Sequence, residues 1–371
     1  MKYAALKFNH LNIGCEIQSI ASQRFLPSID YYIFREQLNG FQSEEKVKLI
    51  MSNWFLWKPE NFPPSECIDP LLISMHFNPY CRDAVLTTAG IEFFKKYGPV
   101  GCRDMSTKKW LDENHIPAYY SSCITSTLIA NEQLRAKFPH HYILCVDLPQ
   151  PTIDYIKQHT DRPVYSFSKN FSPWIESMDR YDVARAVLFM YQNAYCVITT
   201  NLHTGIPCLA FGTKVCMIKN IKELEWAGGR FDGMSDFFAW ETVGTFQEGA
   251  YDFNNPPDNR DAYLRYRDLL VEKCKSFTSF DSNKPTLDDD FDPLHAVLRV
   301  ISASEQNGAN YNNVRRTLYY AGKKDMLKML LLKTIRQTDM DDITSENYLD
   351  MSELFKPRKK IKSYSKRYKI M

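Results

Sequence analysis

The 371-residue sequence lacks the features of a membrane-spanning or secreted protein. No apolar run approaches the roughly 20 residues that a helix needs to cross a bilayer. The N-terminal segment is too short and too interrupted by polar side chains to form a signal peptide. The formal net charge is only +2, which gives no reason to expect nucleic acid as a partner. These absences predict a cytoplasmic protein.

The ten cysteines also lack any recognisable pairing. None forms a Cys-x-x-Cys motif, and none lies with histidine at the spacing of zinc ligands. Several, such as Cys145 and Cys216, lie inside apolar runs, where a free thiol behaves as a small hydrophobic side chain. We therefore expect a reducing compartment, no disulfide framework and no metal. The acidic run at 288–292 precedes a proline in a polar loop, and we interpret it as a loop and helix cap.

Short apolar runs alternate with amphipathic stretches over the first two-thirds of the chain. Such runs are typical of strands buried on both faces of a parallel sheet. They predict strands at 3–8, 31–34, 47–51, 71–76, 100–102, 118–120, 142–146, 164–167, 196–199 and 215–218. Helices are predicted at 105–114, where Asp104 is a suitable N-cap, at 182–193, and from about 258 onward. The alternation predicts an α/β fold with right-handed crossovers.

A polar stretch at 130–141 separates two series of predicted strands. We therefore expect two Rossmann-like domains, at 1–135 and 136–300, followed by a helical C-terminal extension at 301–355. A basic tail at 356–371 carries eight of the 46 basic residues and no acidic one. Two interpretations of the tail stay open. Either it lies on an anionic membrane, which would place the protein peripherally at the inner face, or it is a disordered, solubilising end.

Three loops follow predicted strands and lead into predicted helices, at 12–18, 101–104 and 199–207. In open α/β sheets, ligands bind beyond the carboxyl ends of the strands, and the N–H groups of a helix N-terminus favour an anion there. We expect Pro207 in the first turn of a short helix that ends near Gly212. The sequence thus predicts an anion-binding cleft lined by these loops.

Four segments, in a fixed order between about residues 8 and 235, resemble the polysaccharide pyruvyl transferase family. They are Asn12-Ile13-Gly14-Cys15-Glu16-Ile17-Gln18; residues 48–55 with 63–66; Gly98-Pro99-Val100-Gly101-Cys102-Arg103-Asp104 with 120–123; and Val197-Ile198-Thr199-Thr200-Asn201-Leu202-His203 with 206–213. The resemblance implies two facing Rossmann-like domains of the GT-B type, the first binding the acceptor and the second the donor. It also implies phosphoenolpyruvate as donor substrate, no cofactor, and a glycan or lipid-linked sugar as acceptor, which receives pyruvate as a ketal.

Pyruvyl transfer needs cationic groups for the phosphate and carboxylate of the donor, and groups that move protons at its methylene carbon and at the sugar hydroxyl. On the resemblance, the catalytic candidates are His203, Asp104 and Glu16, and a helix N-terminus would keep His203 neutral. The donor-binding candidates are Arg103, Asn201, Thr204, Lys214 and Arg230. The acceptor-binding candidates are Asn12, Gln18, Asn53, His76 and Ser122.

Two departures from the family pattern leave alternatives open. Asn201 stands where the family has an arginine, and Cys15-Glu16 stands where an acidic residue normally comes first. Either the anion site is rebuilt from Arg103, Lys214 or Arg230, or the donor has changed. A GT-B glycosyltransferase that uses a nucleotide sugar is therefore the first alternative. A catalytically weakened glycan-binding relative is the second.

Overall fold

The computed structural model describes residues 1–292, apart from residues 11, 56–57, 139–140, 170–176, 220–228 and 281–282. The predicted helical extension at 301–355 and the basic tail at 356–371 lie outside these residues. Within them the chain is a mixed α/β structure with parallel sheets and several helices.

The first series of strands forms a four-stranded parallel sheet and two short parallel pairs. The strands are β1 (Lys2–Lys7), β2 (Tyr31–Phe34), β3 (Val47–Met51), β4 (Trp54–Phe55), β5 (Ile68–Leu72), β6 (His76–Phe77), β7 (Val100–Cys102) and β8 (Ala118–Tyr120). The main sheet has the order β2-β1-β3-β5, while β4 pairs with β6 and β7 with β8. A bridge between Met75 and Cys102 brings the segment before β6 alongside β7.

The second series forms a five-stranded, fully parallel sheet. Its strands are β9 (Ile143–Val146), β10 (Val164–Phe167), β11 (Cys196–Thr199), β12 (Lys214–Ile218) and β13 (Trp240–Glu241), in the order β10-β9-β11-β12-β13. In both sheets the first strand lies between the second and the third, so the direction of winding reverses beside it. Such a switch point opens a crevice at the carboxyl ends of the strands.

The α-helices connect and cover these strands. They are α1 (Gly14–Gln23), α2 (Arg82–Val85), α3 (Thr88–Tyr97), α4 (Met105–Glu113), α5 (Glu132–Ala136), α6 (Gln150–Gln158), α7 (Ser177–Asn193), α8 (Leu202–Phe211), α9 (Val243–Gln247) and α10 (Leu264–Thr278). The face of α7 predicted from Val183, Ala186, Val187 and Met190 is buried, and α7 contacts both α1 and α8. None of the helices within the described residues is long and apolar enough to cross a bilayer.

Two details of the sequence-based prediction are wrong. The strand predicted at 71–76 is instead Ile68–Leu72, which contains Pro70. This strand is the last in the sheet order, and an edge strand tolerates a proline because no neighbour needs its missing N–H. Pro207 lies inside α8 rather than in its first turn, because the helix already begins at Leu202. Its ring therefore cannot donate to the carbonyl of His203 four residues earlier.

The ten cysteine thiols are free, and nine of them are buried, with Cys67 half-buried. Burial raises the pKa of the Cys15 thiol and of the Cys81 thiol to about 11. In the acidic run at 288–292, Asp289 accepts a hydrogen bond of 2.7 Å from Asn131, the N-cap of α5. The described residues contain no group of three or more histidine, cysteine or carboxylate side chains that could hold a metal ion.

Candidate active site

Three loops meet at the switch point of the second sheet. Asp147 directly follows β9, Lys169 lies two residues beyond β10, and Asn201 lies two residues beyond β11. The Asn201 amide donates to Asp147 Oδ2 at 2.7 Å, and Lys169 Nζ donates to Asn201 Oδ1. The backbone N–H of Lys169 donates to Asp147 Oδ1 at 3.3 Å. The three side chains are therefore tied together in the crevice where this fold class binds ligands.

Arg103 and His203 come from the two different series of strands and approach the same place. Arg103 follows β7, and its N–H donates to the Met75 carbonyl at 2.8 Å. His203 lies in the first turn of α8, with its Nε2 3.5 Å from Arg103 Nη1. Both side chains are buried, at 1% and 7% exposure. Two residues that the sequence singled out separately thus share one site.

The electrostatic environment of His203 is strongly positive. Burial, together with the charges of Arg103, Lys169 and Arg230, lowers the pKa of His203 well below its ordinary value. The imidazole is therefore neutral at physiological pH and can accept a proton. The predicted neutrality is reached mainly by burial and neighbouring cations, whereas the sequence-based reasoning relied on the helix N-terminus.

The three cations around His203, which we call the basic cluster (Arg103, Lys169 and Arg230), are all buried. Burial and the charge of Arg230 lower the pKa of Lys169 to about 7, despite the opposing effect of Asp147. Burial and the charge of Arg103 lower the pKa of Arg230 to about 10. Like charges held together away from water destabilise a fold. Their concentration in a crevice is typical of a functional site and suits an anionic ligand.

Asp104 links the basic cluster to His76. Its Oδ1 accepts the Thr107 N–H at 2.8 Å as the N-cap of α4, and its Oδ2 lies 2.5 Å from His76 Nδ1 and 3.8 Å from Arg103 Nε. Burial lowers the pKa of His76 to about 4. Burial raises the pKa of Asp104, but the interactions with His76, Arg103 and Thr107 outweigh it and leave that pKa below its ordinary value. An ionised Asp104 beside a neutral His76 fixes the ring and places its proton on Nδ1.

Replacing Asp104 by asparagine is expected to reverse the tautomer of His76 with little change in stability. The amide oxygen keeps the cap with Thr107, so its nitrogen faces His76 Nδ1 and drives the ring proton to Nε2. Nitrogen chemical shifts of the imidazole report the change, and urea unfolding measures stability. Asp104→Ala is the control, because it also removes the cap and should cost about 1 kcal/mol. An unchanged tautomer in Asp104→Asn would contradict the assigned positioning role.

Four of the five acceptor-binding candidates, Asn12, Asn53, His76 and Ser122, lie in strands of the first series or within a few residues after them. Asn53 follows β3, accepts a hydrogen bond from Arg35 at 2.9 Å, and accepts the His76 N–H on its carbonyl at 3.0 Å. Asn12 Oδ1 accepts the Gly14 N–H at 2.8 Å. Ser122 has a left-handed φ of 64°, and its carbonyl accepts the Ser74 hydroxyl at 2.8 Å. A chain of contacts thus runs from Asn53 through His76 and Asp104 to Arg103.

The remaining candidates contact other parts of the molecule. Glu16 is buried against Arg180 of α7, and burial raises its pKa despite that partner. Gln18 donates to the Gly14 carbonyl at 3.4 Å within α1. Thr204 shares a 3.0 Å hydrogen bond with the Tyr191 hydroxyl beneath α8.

The structure places Lys214, a predicted donor-binding residue, away from the basic cluster. Its Nζ contacts the Pro256 carbonyl at 2.8 Å and Asp258 at 3.1 Å. Lys214 begins β12, so it lies at the amino end of a parallel strand. The basic cluster lies at the opposite, carboxyl ends. The predicted strand already began just after Lys214, so the carboxyl-end rule should have excluded this residue.

Sequence reasoning also missed Lys169, Asp147 and Arg180. Asp147 directly follows the predicted strand at 142–146, and Lys169 lies two residues after the one at 164–167, so the same rule would have found both. No comparable signal exists for Arg180, because nothing in the sequence shows that α7 lies against Glu16.

The backbone of α1 passes close to His203. A Cβ atom on Gly14 would lie 2.7 Å from His203 Nδ1 and 2.9 Å from Asn12 Oδ1. Real Cβ atoms do not approach neighbours that closely, so only glycine fits between these two side chains.

No protein-family model matches the sequence, and no curated protein is significantly similar to it. Among solved structures, the chain is similar to a functionally uncharacterized protein of Klebsiella pneumoniae subsp. pneumoniae, with 14% identity, a TM-score of 0.42, and coverage of 65% of this chain and 92% of that one. It is also similar to the wall teichoic acid polymerase TagF, with 9% identity, a TM-score of 0.36, and coverage of 89% and 90%. At these TM-scores neither likeness bears on what this chain does.

Proposed function

We propose that this chain transfers pyruvate from phosphoenolpyruvate to a sugar of a cell-surface polysaccharide or of its lipid-linked precursor. The basic cluster around a neutral His203 is the observation that carries the proposal. Phosphoenolpyruvate presents a phosphate and a carboxylate, and the guanidinium groups of Arg103 and Arg230 suit both in bidentate geometry. The resemblance of the four sequence segments supports the same donor.

The proposed reaction has two steps, in which these side chains bind the donor and accept a proton. In the first step, a sugar oxygen bonds to the central carbon of the donor, the hydroxyl proton goes to a base, and the methylene carbon receives a proton. In the second step, the oxygen of another sugar hydroxyl bonds to the same carbon and closes the ketal, the bond from that carbon to the phosphate oxygen breaks, and the hydroxyl proton leaves with inorganic phosphate. His203 is neutral before the donor binds, and the negative charge of the bound donor would offset the neighbouring cations and allow it to accept the hydroxyl proton. The basic cluster stabilises the negative charge on the phosphate as its bond breaks.

We further propose that the two parallel sheets belong to two facing Rossmann-like domains, at 1–135 on the acceptor side and 136–300 on the donor side. The contact between Arg103 and His203 supports this, because it joins residues from the two series of strands.

A GT-B glycosyltransferase that uses a nucleotide sugar is the second candidate. Asn201 favours it, since an amide stands where the pyruvyl transferase family has a guanidinium. The pyrophosphate of a nucleotide sugar would also match the charge of the basic cluster.

A thermal-shift screen tests these proposals, because a ligand that binds the folded chain raises its melting temperature by mass action. We expect phosphoenolpyruvate to stabilise the protein more than inorganic phosphate does at equal concentration. A response to UDP, GDP or CMP without a response to phosphoenolpyruvate would replace the first candidate by the second. A response to oligosaccharide alone would contradict both and indicate a glycan-binding protein.

We also propose that the basic tail holds the protein weakly at an anionic membrane, where lipid-linked acceptors lie. Each basic side chain near such a surface contributes about 1 kcal/mol. The full chain is expected to sediment with anionic but not neutral vesicles and to be released as salt rises. A chain truncated after Glu353 is the control and should stay in the supernatant. Equal sedimentation of both chains would contradict this role.

A further inference from the structure

The ammonium group of Lys169 has an unusual environment for a buried cation. The side chain is 9% exposed, and its Nζ donates to Asn201 Oδ1. None of the ion pairs formed between described residues involves Lys169. The nearby carboxylate of Asp147 instead accepts the Asn201 amide and the Lys169 backbone N–H. Buried lysines are normally paired with a carboxylate. The hydrogen bond of this ammonium goes instead to a neutral group, the amide oxygen of Asn201.

Both polar atoms of the Asn201 side chain fix this arrangement. As the N-cap of α8, Asn201 makes no side-chain cap to its own helix. Its oxygen accepts from Lys169 and its nitrogen donates to Asp147 at 2.7 Å. The amide therefore aims the ammonium at the start of α8, beside His203. An arginine at position 201 would instead place a second cation against Lys169.

We propose that Lys169 is the donor-binding cation that replaces the arginine this chain lacks at position 201, and that it binds the donor phosphate together with one proton. This inference rests on the proposed binding of phosphoenolpyruvate at the basic cluster. Position 201 then keeps its place in the site but changes its task, from contacting the anion to positioning Lys169.

The neighbours of Lys169 explain why a proton accompanies the donor. Arg230 and burial favour its neutral amine, while Asp147 and the Cys15 sulfur favour the ammonium, and the pKa is lowered to about 7. A dianionic phosphate beside Nζ would favour the ammonium and draw a proton from solution. Three neighbouring groups have pKa values outside the range from pH 7 to 9, since the pKa of His203 is lowered, that of Cys15 is raised to about 11, and that of Arg230 is about 10.

The same shift makes the fold less stable at neutral pH. The folded chain holds this proton less tightly than the unfolded chain, whose lysine has the ordinary value of 10.5. The unfolded chain therefore binds more protons between about pH 7 and 10.5, and stability from this group rises with pH across that window. Below about pH 7, the folded chain carries the full loss of stability that this lowered pKa causes. Lysine at this position is thus retained at a cost in stability, which is typical of a functional residue.

Isothermal titration with phosphoenolpyruvate tests the proposal on the full chain. At pH 7, Lys169→Met is expected to bind about 10- to 100-fold more weakly than wild type, which corresponds to one lost charge-assisted hydrogen bond. Its melting temperature without ligand should be equal or higher, whereas removing a merely structural lysine would lower it. Lys214→Met is the matched control, because Lys214 lies at the opposite end of the same sheet, and its affinity should be unchanged.

Titrations in two buffers with different ionisation enthalpies count the protons. At pH 8 the wild type should take up close to one proton for each phosphoenolpyruvate bound, since the phosphate itself is already ionised. Lys169→Arg keeps the charge but does not titrate here, so its uptake should fall to near zero. If Lys169→Met does not fold, an unchanged uptake in Lys169→Arg would overturn the inference.

The two proposals fail in different ways. Equal affinity of wild type and Lys169→Met for phosphoenolpyruvate would overturn the role of Lys169 and leave the proposed function standing. A wild type that binds no phosphoenolpyruvate at either pH would overturn both.

Discussion

Replacing Arg103 by lysine is expected to weaken phosphoenolpyruvate binding about 100-fold while leaving the fold intact. The guanidinium can hold a carboxylate or phosphate through two parallel hydrogen bonds, and an ammonium cannot reproduce that fork. Each hydrogen bond to a charged group contributes about 1.5–3 kcal/mol, and every 1.4 kcal/mol is a factor of about ten in affinity. Lysine keeps a positive charge near Asp104, which the guanidinium now approaches at 3.8 Å, so stability should change by less than about 1 kcal/mol.

Titration calorimetry measures the affinity, and urea unfolding measures the stability. Arg185→Lys is the matched control, since Arg185 forms an i,i+3 pair with Asp182 on α7 outside the basic cluster. Near-normal binding by Arg103→Lys would show that Arg103 acts only as a point charge or not at all.

Replacing Gly14 by alanine is expected to remove most donor binding and to destabilise the protein by about 1–3 kcal/mol, the usual effect of overpacking. The new methyl group would lie 2.7 Å from His203 Nδ1, so either α1 or His203 must move. In an open helix the same change would stabilise the protein by up to about 1 kcal/mol, so the sign of the effect reports the close approach. Urea unfolding of the variant and of wild type measures this sign.

Two further variants identify what the methyl group meets. Gly40→Ala is the control, because a Cβ there has no neighbour within 4 Å. A second His203→Ala substitution removes one of the two clashing atoms, so Gly14→Ala should cost less in that background. An equal cost in both backgrounds would mean that His203 is not the obstacle.

Much of the fold could be predicted because buried parallel strands leave a plain signal. The strands at 31–34, 47–51, 100–102, 118–120, 164–167 and 196–199 have the predicted bounds, since each is a short apolar run between polar segments. The N-cap at Asp104 is confirmed by its hydrogen bond to Thr107. The strand at 68–72 differs from the predicted bounds and contains Pro70, which it tolerates as an edge strand, and whether a strand lies at an edge depends on its neighbours in space. The two-residue strands β4, β6 and β13 carry too few side chains to show a period.

The site was less predictable, because its geometry depends on which loops meet. Arg103 and His203 are a hundred residues apart in sequence, and only the family resemblance linked them before the structure did. The segment around position 201 shows only that an arginine is missing there, and it gives no sign that Lys169, which follows another predicted strand, lies beside it. The structure shows that Lys169, which belongs to a different loop, contacts the side chain at position 201. A positive charge can reach a site from a different loop, and no single segment of the sequence reveals this.

Because most of the cysteines are buried, the rate at which a thiol reagent modifies each one reports how often the surrounding structure opens. A thiol reagent attacks the thiolate, which a buried thiol with a raised pKa seldom forms. The half-buried Cys67 should therefore react early with the reagent. The nine buried cysteines should react only when the surrounding structure opens. Because Cys102 lies in the β7–β8 pair and Cys145 and Cys196 lie in the five-stranded sheet, mass spectrometry of the labelled peptides would time the opening of these two parts separately. A bound donor should slow the labelling of cysteines most in the strands whose carboxyl ends contact it.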